Sequence, residues 1–342
     1  MKNKKFKVCI IGCGRMGQRY IDICNNKKIE IEFLIDKNIK NLNIISKKYP
    51  NLKNKVNTKI INKYRNINLD CAIIATTSDQ RLNIVKKITN LNCKKILIEK
   101  PIADTLDRAS KILKICRENK IKISVNHQMK FMDVYNYPLS ISKKLNDPIK
   151  SMIVQTGNFG LGMNVIHYFE AFKYVTNAKP IYVNAYLEKK LISNPRGNKF
   201  KDKAGQIRVT DKNGKRLYIE FGSDLGHNIT VIYSAKNYQI IVDELSGTAT
   251  LIARKKIYFG RPTNLIALPS KKITKNLKSL DILESTWNVM QALLNDQKNY
   301  VNAISGFENI KIAIASIISS NCNSKTINIS KIKNNSKKTN WA

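Results

Sequence analysis

Short apolar runs alternate with amphipathic stretches along the first part of the chain. The runs carry apolar residues at nearly every position, which is typical of strands buried on both faces of a parallel sheet. The stretches between them repeat apolar residues with the helical period. The predicted strands are 7–11, 29–35, 69–75, 95–99 and 121–125, and the predicted helices are 16–25, 39–49, 80–89 and 105–119. The pattern therefore predicts an α/β domain over residues 1–126, with segment 55–67 irregular.

Beyond residue 145 the apolar positions recur with a period of two, which is typical of strands with one buried face. Turn signals such as Asn213-Gly214 separate these strands. The predicted strands are 150–157, 181–187, 206–210, 216–221, 228–233, 239–242 and 248–253, and the predicted helices are 164–176, 280–297 and 306–319. We expect an α+β domain with a mostly antiparallel open sheet over residues 127–320, followed by a polar, partly disordered tail over 321–342.

A G-x-G-x-x-G turn follows the first predicted strand and opens the first predicted helix. Gly12 allows the tight turn, Gly14 lets the backbone approach a pyrophosphate, and Gly17 lets the helix pack on the strand. Free N–H groups at a helix N-terminus bind phosphate, so Arg15 and Met16 belong to the same predicted site. This context predicts a dinucleotide-binding Rossmann domain rather than an unrelated glycine-rich turn.

Asp36 ends the second predicted strand, 19 residues after Gly17. A carboxylate at this place suits the ribose hydroxyls of the adenosine half, and its charge repels a 2′-phosphate. The sequence therefore favours NAD as the cofactor. NADP remains open, because the neighbouring Lys37 is a cation that can partly accommodate that phosphate.

The formal charge of +37 raises the question of a nucleic-acid partner. The basic residues are mostly lysine, spread along the whole chain and accompanied by many Asn and Ile residues, which are the amino acids that A+T-rich codons encode. We attribute the charge to genome composition and predict no nucleic-acid partner. The summed positive field nevertheless favours anionic ligands.

The 7 cysteines form no C-x-x-C pair and no metal-ligand spacing, which predicts no metal site and a reducing, cytoplasmic location. No stretch approaches the roughly 18 apolar residues of a membrane span. The apolar run after the basic N-terminus is too short for a signal peptide. The sequence therefore predicts no membrane partner.

A second candidate site follows in I-L-I-E-K-P, residues 96–101. Ligands of open parallel sheets bind outside the carboxyl ends of the strands, so Glu99 and Lys100 are expected to face the cofactor. Lys100 can donate hydrogen bonds to a substrate oxygen or share in proton transfer. Thr76 and Thr77 end the preceding strand and are expected to line the nicotinamide or ribose pocket. By spacing alone, Lys100 can equally be a surface lysine.

These features together resemble the Gfo/Idh/MocA oxidoreductases, which include glucose–fructose oxidoreductase and inositol 2-dehydrogenase. The resemblance rests on the glycine turn, A-T-T-S-D at 75–79, E-K-P at 99–101 and a following mixed-sheet domain. It implies that Lys100 lies close to the nicotinamide and the reacting carbon. It also implies a homo-oligomer that forms through the exposed face of the second sheet.

The family also carries a catalytic histidine on the first helix of its second domain, commonly in D-x-x-x-H-x-x-D. The resemblance assigns this role of catalytic base to His167 and substrate contacts to Asn164 and Glu170, three residues to either side. The family aspartate is replaced by Met163. An amide such as Asn164 orients a hydroxyl but is no base, so His167 would move the proton alone or with Lys100. The alternative is a structural histidine between sheet and helix.

Relatives often place an asparagine and a basic residue after the fifth strand of the first domain, where this chain has V-N-H-Q-M-K-F, 125–131. The match assigns a cofactor or substrate contact to Asn126 and a substrate contact to Lys130. His127 lies between them without an assigned role. His227, the third histidine of the chain, precedes a strand and is interpreted as structural.

The segment N-F-G-L-G-M-N-V-I-H-Y-F-E, 158–170, resembles a subgroup that tends to act in surface-polysaccharide or sialic-acid-like sugar pathways. The leading hypothesis is therefore reversible oxidation of a secondary alcohol of a sugar or nucleotide sugar. Two alternatives remain: a lyase or hydrolase that uses tightly held NAD for transient oxidation, and a non-catalytic sensor that binds a dinucleotide and a sugar.

Overall fold

The computed structural model describes residues 6–59, 62–193, 197, 200–226, 228–262, 270–278, 280–297, 299–334, 339 and 341. Two sheets organise these residues. Within them, no helix is long and apolar enough to cross a membrane.

The first sheet is parallel and contains six strands among the described residues. Its order is β3-β2-β1-β4-β5-β6. The strands are β1 Lys7–Ile11, β2 Glu30–Ile35, β3 Val56–Asn57, β4 Cys71–Ile74, β5 Lys95–Ile98 and β6 Lys122–Val125. The connecting helices are α1 Arg15–Asn26, α2 Ile39–Lys48, α3 Arg81–Ile88 and α4 Leu106–Glu118. The short strand β3 lies in the segment that the sequence predicted as irregular.

The second sheet has nine strands within the described part of the chain, in the order β14-β13-β12-β11-β7-β10-β9-β8-β15. Only β7 and β10 pair in parallel there, so the sheet is mostly antiparallel. The strands are β7 Ser151–Gln155, β8 Pro180–Ser193, β9 Lys201–Asp211, β10 Arg216–Glu220, β11 Thr230–Ser234, β12 Tyr238–Asp243, β13 Thr248–Arg254, β14 Ser270–Asn276 and β15 Ile327–Asn328. The predicted fold class is confirmed.

Four further helices are α5 Asp133–Leu145, α6 Ile166–Thr176, α7 Ile282–Leu294 and α8 Ala303–Asn321. The sequence did not predict α5, which carries Pro138 in its interior. Helix α8 contacts both α6 and α4, and therefore joins the two sheets. Helix α7 buries Val289, Met290 and Leu293 in the core that also contains Val8 and Ile10 of β1. This helix thus covers the first sheet.

The segment after α8 packs on both sheets over its described residues. Strand β15 extends the second sheet by pairing with β8. The Thr339 hydroxyl donates to the backbone oxygen of Asp104 at 2.7 Å, and Ser78 donates to the backbone oxygen of Trp341 at 2.8 Å. The Trp341 side chain is buried. An indole and a short strand thus bind these described residues of the tail to the core, which the sequence did not predict.

Candidate active site

The glycine turn between β1 and α1 has the geometry that close backbone packing requires. Gly12 has φ of +93°, and its N–H donates to the Ile35 carbonyl at 2.7 Å. A Cβ on Gly17 would lie 1.9 Å from the Gly12 carbonyl oxygen, so only glycine fits there. Gly14 is the N-cap of α1, and a Cβ on it would meet nothing within 4 Å. The turn is thus tight on its inner side and open at Gly14.

A cavity of about 530 Å³ opens at this turn and at the carboxyl ends of the neighbouring strands. Its lining includes Gly12, Gly14, Arg15, Met16, Asp36, Thr76 and Thr77. These seven are predicted cofactor contacts. The first turn of α1 contains no acidic residue, and no side chain caps its N–H groups. These N–H groups can therefore bind a pyrophosphate. The residues present therefore fit a dinucleotide.

Asp36 holds the glycine turn as well as lining the cavity. Its Oδ2 accepts from the Cys13 N–H at 2.8 Å and from Asn41 Nδ2 at 2.9 Å, and its Oδ1 accepts from the Asn38 N–H at 2.8 Å. Oδ1 keeps a lone pair for a ribose hydroxyl. Lys37, Lys59 and Lys87 line the same cavity and supply positive charge near it.

Glu99 and Asn126 lie buried at the ends of β5 and β6. Glu99 Oε1 accepts from Tyr20 Oη at 2.7 Å and from Asn126 Nδ2 at 2.9 Å. Glu99 therefore orients Asn126 instead of facing the cavity. The buried Oδ1 of Asn126 has no hydrogen-bond partner among the described residues, so a donor on a ligand would satisfy it.

A fully buried arginine, Arg81 of α3, organises the strand ends beside the cavity. Its guanidinium donates to the backbone oxygens of Thr76, Glu99 and Pro101. Three carbonyls from two strand ends share one fixed cation, which keeps this edge of the sheet rigid. The sequence analysis did not identify Arg81, because an arginine at a helix start has no distinctive spacing.

Lys100 reaches across to the second domain. Its Nζ donates to the backbone oxygen of Met163, in the turn before α6. The Met163 N–H donates to Oδ2 of Asp202 on β9 at 2.8 Å, and the Gly162 N–H donates to the same oxygen at 2.9 Å. Burial raises the pKa of Asp202, while these N–H groups and the nearby Lys100 lower it. A buried carboxylate thus holds the turn in which the family aspartate is replaced.

The turn before α6 is a π-helix, Leu161–Val165, in which backbone hydrogen bonds join residues five apart. It leads directly into α6. Two glycines permit close approach around it. A Cβ on Gly160 would lie 2.3 Å from Asp202 Oδ2, and a Cβ on Gly162 would lie 2.5 Å from the Trp341 ring. The G-L-G sequence therefore makes room for one carboxylate and one indole, and presents Asn164 and His167 on the next turn. The Asn164 amide makes no hydrogen bond to any described residue.

His167 contacts the second histidine, His127. Their Nδ1 atoms lie 3.2 Å apart, and the rings meet edge to face. His127 is buried and its Nε2 lies 3.4 Å from Asn309 Nδ2, on α8. His167 is half-buried, and its Nε2 makes no hydrogen bond to any described residue. His127 had no predicted role, although its place directly after β6 puts it on the same sheet edge as Lys100. No signal in the sequence indicated Asn309.

Glu170 is buried beneath the histidine pair. Its Oε2 accepts from Ser305 Oγ at 2.5 Å and from Asn309 Nδ2 at 3.0 Å, and lies 3.2 Å from Lys173 Nζ. Lys130 Nζ is 3.9 Å from its Oε1. The substrate contacts of Glu170 and Lys130 stay predictions. The two side chains pair with each other, because a buried carboxylate requires cations and donors.

Both imidazoles are neutral at neutral pH. Burial lowers the pKa of His127 to about 3, with Lys100 adding to the effect and Glu170 opposing it. Burial, Lys100 and His127 lower the pKa of His167 well below its usual value. For Glu170, burial raises the pKa, but Lys173, His127 and the Ser305 and Asn309 hydrogen bonds lower it more, to about 2.

The structure thus brings Lys100, which follows β5, to the turn that contains Asn164, and its charge lowers the pKa of His167 on the helix that follows. The described lining of the cavity at the glycine turn includes none of these three residues. Glu99, Glu170 and Lys130 lie behind them as supports. His227 lies outside the described residues.

A family model described as an oxidoreductase family with an NAD-binding Rossmann fold, GFO_IDH_MocA, matches residues 6–127. No curated protein matches the chain. The match covers the glycine turn, Asp36, Lys100 and Asn126.

Solved structures share the fold of the whole chain at low identity. An oxidoreductase from Agrobacterium radiobacter, solved with NAD⁺, L-tartaric acid and magnesium, has a TM-score of 0.78 at 13% identity, over 96% of this chain and 99% of that one. A UDP-N-acetylglucosamine 3-dehydrogenase from Acidithiobacillus ferrooxidans has a TM-score of 0.72 at 13% identity, over 93% and 99%. A super-repressor mutant of Gal80p from Saccharomyces cerevisiae has a TM-score of 0.75 at 13% identity, over 95% and 98%. Residues 6–127 of the chain thus match the Gfo/Idh/MocA oxidoreductase family model, and the chain as a whole has the fold of these solved proteins.

Proposed function

We propose that this protein is an NAD(P)-dependent dehydrogenase or reductase that acts on a secondary carbon of a sugar or nucleotide sugar. The observation that carries the proposal is the approach of Lys100, which follows β5, to the helix that carries His167. Lys100 Nζ bonds the turn that begins the His167 helix, and its charge lowers the pKa of that histidine. The pair therefore acts on one oxygen atom at the carboxyl edge of the sheet.

Each side chain has a distinct task in this proposal. A nicotinamide held at the strand ends supplies or accepts the hydride at the substrate carbon. The Lys100 ammonium and the His167 ring bind the reacting oxygen, and the Asn164 amide orients a neighbouring hydroxyl. Asn126, with Oδ1 unpaired among the described residues, accepts a hydrogen bond from the bound cofactor or substrate.

NAD is the proposed cofactor, with NADP as the alternative. Asp36 brings a negative charge to the place where the adenosine ribose is expected, which disfavours a 2′-phosphate. The lysines around the cavity weaken this preference. A reducing, cytoplasmic setting fits the seven cysteines, which are all free.

A sugar substrate is supported by the polar character of the site and by a neighbour in fold. Asn164 and the two donors at the reacting oxygen are groups that bind hydroxyls. One solved structure of this fold is named a UDP-N-acetylglucosamine 3-dehydrogenase. The positive charge of the chain favours an anionic substrate such as a nucleotide sugar. The resemblance of segment 158–170 to a surface-polysaccharide subgroup supports a role in that synthesis.

A substrate screen tests the proposal. Purified protein is incubated with a panel of nucleotide sugars and sialic-acid-like sugars and with NAD or NADP, and reduced nicotinamide is followed by absorbance. Turnover is expected with at least one anionic sugar, and Lys100→Met is expected to lower it by about 10²-fold or more while the NADH thermal shift persists. Equal turnover in wild type and Lys100→Met would contradict the proposal.

A second candidate function is a dinucleotide-binding regulator without turnover. Two observations favour it: Met163 replaces the family aspartate, and Gal80p, named as a repressor mutant, shares the fold. NADH binding without turnover of any sugar in the panel would support this alternative. A lyase or hydrolase with retained NAD is distinguished from both by product formation without release of NADH.

A further inference from the structure

We propose that His127 and Asn309 are positioning residues that fix the tautomer of His167, so that its exposed Nε2 carries the ring proton. His167 then donates a hydrogen bond to the reacting oxygen instead of removing a proton from it. The argument follows a chain of hydrogen bonds outward from the buried Glu170.

Glu170 sets the orientation of the Asn309 amide. Its Oε2 lies 3.0 Å from the atom assigned as Asn309 Nδ2. Because the pKa of Glu170 is lowered to about 2, the carboxylate is ionised and can only accept hydrogen bonds. Ser305 Oγ donates to the same oxygen, and Lys173 Nζ pairs with it. The amide group that faces Glu170 must therefore be the NH₂, since an oxygen there would be repelled.

The same NH₂ group determines which nitrogen of His127 is bare. Asn309 Nδ2 lies 3.4 Å from His127 Nε2, at the long end of hydrogen-bond distance. An NH₂ donor requires an acceptor opposite it, so Nε2 carries no hydrogen. His127 is buried and neutral, with its pKa lowered to about 3 by burial. Its one ring proton therefore lies on Nδ1.

His127 in turn sets the tautomer of His167. The two Nδ1 atoms are 3.2 Å apart, and two N–H groups cannot face each other at that distance. His127 is the donor, so His167 Nδ1 is the acceptor. Because His167 is neutral as well, its proton lies on Nε2, which has no hydrogen-bond partner among the described residues.

The catalytic consequence rests on the proposed function. In the reduction direction a bound reduced nicotinamide would supply a hydride to the carbonyl carbon as the carbonyl π bond breaks. The oxygen takes one proton from the Lys100 ammonium, which solvent restores. The His167 Nε2–H bond to that oxygen strengthens as negative charge develops on it, as for a preorganised neutral imidazole. Lys100 is thus the proton donor, which replaces the sequence-based assignment of His167 as the base.

Long-range ¹H–¹⁵N spectra of histidine-labelled protein test the tautomers directly. The three histidines are assigned by single substitution. We expect His167 with hydrogen on Nε2 and His127 with hydrogen on Nδ1. Hydrogen on Nδ1 of His167, or on Nε2 of His127, would overturn the proposal. The spectra need neither substrate nor turnover, so this result is independent of whether the proposed activity is found.

Two variants test whether the chain causes the tautomer. Asn309→Leu removes the donor to His127, and the ring shifts of both histidines are expected to move toward tautomer-averaged values. Ser305→Ala removes another hydrogen bond to Glu170 and leaves the shifts in place, because it does not touch Asn309 or the rings. Unchanged His167 shifts in Asn309→Leu would overturn the role of Asn309. If the leucine variant does not fold, Glu170→Gln replaces the carboxylate that orients Asn309 by an amide. The ring shifts of both histidines are again expected to move toward tautomer-averaged values.

Activity distinguishes donor from base once a substrate is known. His167→Gln keeps an N–H donor but cannot take up a proton. We expect it to retain activity within about tenfold of wild type, whereas His167→Ala loses roughly 10²- to 10³-fold, the cost of one preorganised donor. Equal loss in both variants would identify His167 as a proton acceptor and contradict the proposal.

Discussion

Gly17 and Gly14 of the cofactor turn have opposite surroundings, so substitutions at the two positions test folding and ligand binding separately. A Cβ on Gly17 would lie 1.9 Å from a backbone oxygen, whereas a Cβ on Gly14 would meet nothing within 4 Å. Gly14 also has φ of −70°, which alanine adopts freely. The open space at Gly14 is where a pyrophosphate would approach the backbone.

We therefore expect Gly17→Ala to lower the free energy of unfolding by about 1–3 kcal/mol or more, because the turn must open. Gly14→Ala is expected to keep the melting temperature of the wild type and to weaken NADH binding by at least about tenfold. Thermal unfolding and NADH titration of both variants check this. Normal NADH affinity in Gly14→Ala would place the pyrophosphate elsewhere.

The choice between NAD and NADP is argued at Asp36. Asp36→Asn removes the charge and keeps one side-chain oxygen, which can still accept from either the Cys13 or the Asn38 N–H group. We expect the ratio of NADP to NAD affinity to rise by about tenfold, equivalent to about 1.4 kcal/mol. Asn41→Ala, which removes a donor to Asp36 and keeps its charge, serves as the control. Affinities by calorimetry are the measurement, and an unchanged ratio in Asp36→Asn would count against this role.

The sequence predicted the site residues that lie in or next to a motif. It did not predict the residues, distant along the chain, that contact them. Lys100 follows a buried strand and His167 lies on the first helix of the second domain, so local pattern and resemblance identified both. Asp202 binds the turn that Lys100 contacts, and Asn309 lies against His127, the neighbour of His167. These contacts join residues far apart along the chain, which no periodicity encodes. The pairing of Glu170 with Lys173 and Asn309 was not predicted for the same reason.

At the level of elements, predictability followed the apolar pattern. Five described strands of the first sheet, β1, β2, β4, β5 and β6, are mostly apolar and were predicted to within two residues at each end. The two-residue strand β3 was not predicted. Strand β14 was missed because it reads S-K-K-I-T-K-N, and all its residues are exposed at the sheet edge. Helix α5 was missed because of its internal Pro138. Tertiary contacts, rather than local pattern, stabilise both elements.

Helices α5 and α6 pack around one buried carboxylate, which makes the stability of this interface depend on pH. Glu244 accepts from Tyr135 Oη at 2.5 Å and from Tyr168 Oη at 2.9 Å. Burial raises its pKa to about 7, with the nearby Asp243 adding to the effect and the two tyrosine hydrogen bonds opposing it. The folded protein therefore retains a proton that the unfolded chain releases above its ordinary pKa, near 4.5.

The stability linked to Glu244 is fully present below about pH 4.5 and is lost as the pH rises through about 7. Glu244→Gln does not titrate. From about pH 5 to about pH 8, we expect its unfolding free energy to rise relative to wild type by up to about 3 kcal/mol. Melting temperatures of both proteins across this range check the prediction. A difference between them that is independent of pH would contradict it.

On the scale of the whole molecule, the outer face of the second sheet is a broad groove of about 540 Å³ lined by aromatic, aliphatic and polar side chains. Tyr186 is 65% exposed there, and Ile153 and Tyr218 are also exposed. An uncovered sheet face that exposes large apolar side chains among polar ones fits association between copies of the chain. We propose that the protein is a homo-oligomer that buries this face.

Tyr186→Glu together with Tyr218→Glu is expected to convert the oligomer to monomer, because paired copies would then bury like charges. The control is Ile257→Glu, since Ile257 is 72% exposed away from this groove. Light scattering coupled to size exclusion gives the mass. A monomeric wild type, or an oligomer that survives both substitutions, would contradict the proposed interface.

The central claim is that Lys100 acts on a reacting oxygen beside a bound nicotinamide. The most direct measurement is transfer of deuterium from NADH labelled at nicotinamide C4 to a keto sugar, followed by mass spectrometry of the product. The account predicts that wild type transfers the label and that Lys100→Met binds NADH equally well but transfers it at least about 10²-fold more slowly. Tight NADH binding with no labelled product from any keto sugar would contradict the claim, and so would equal transfer by Lys100→Met.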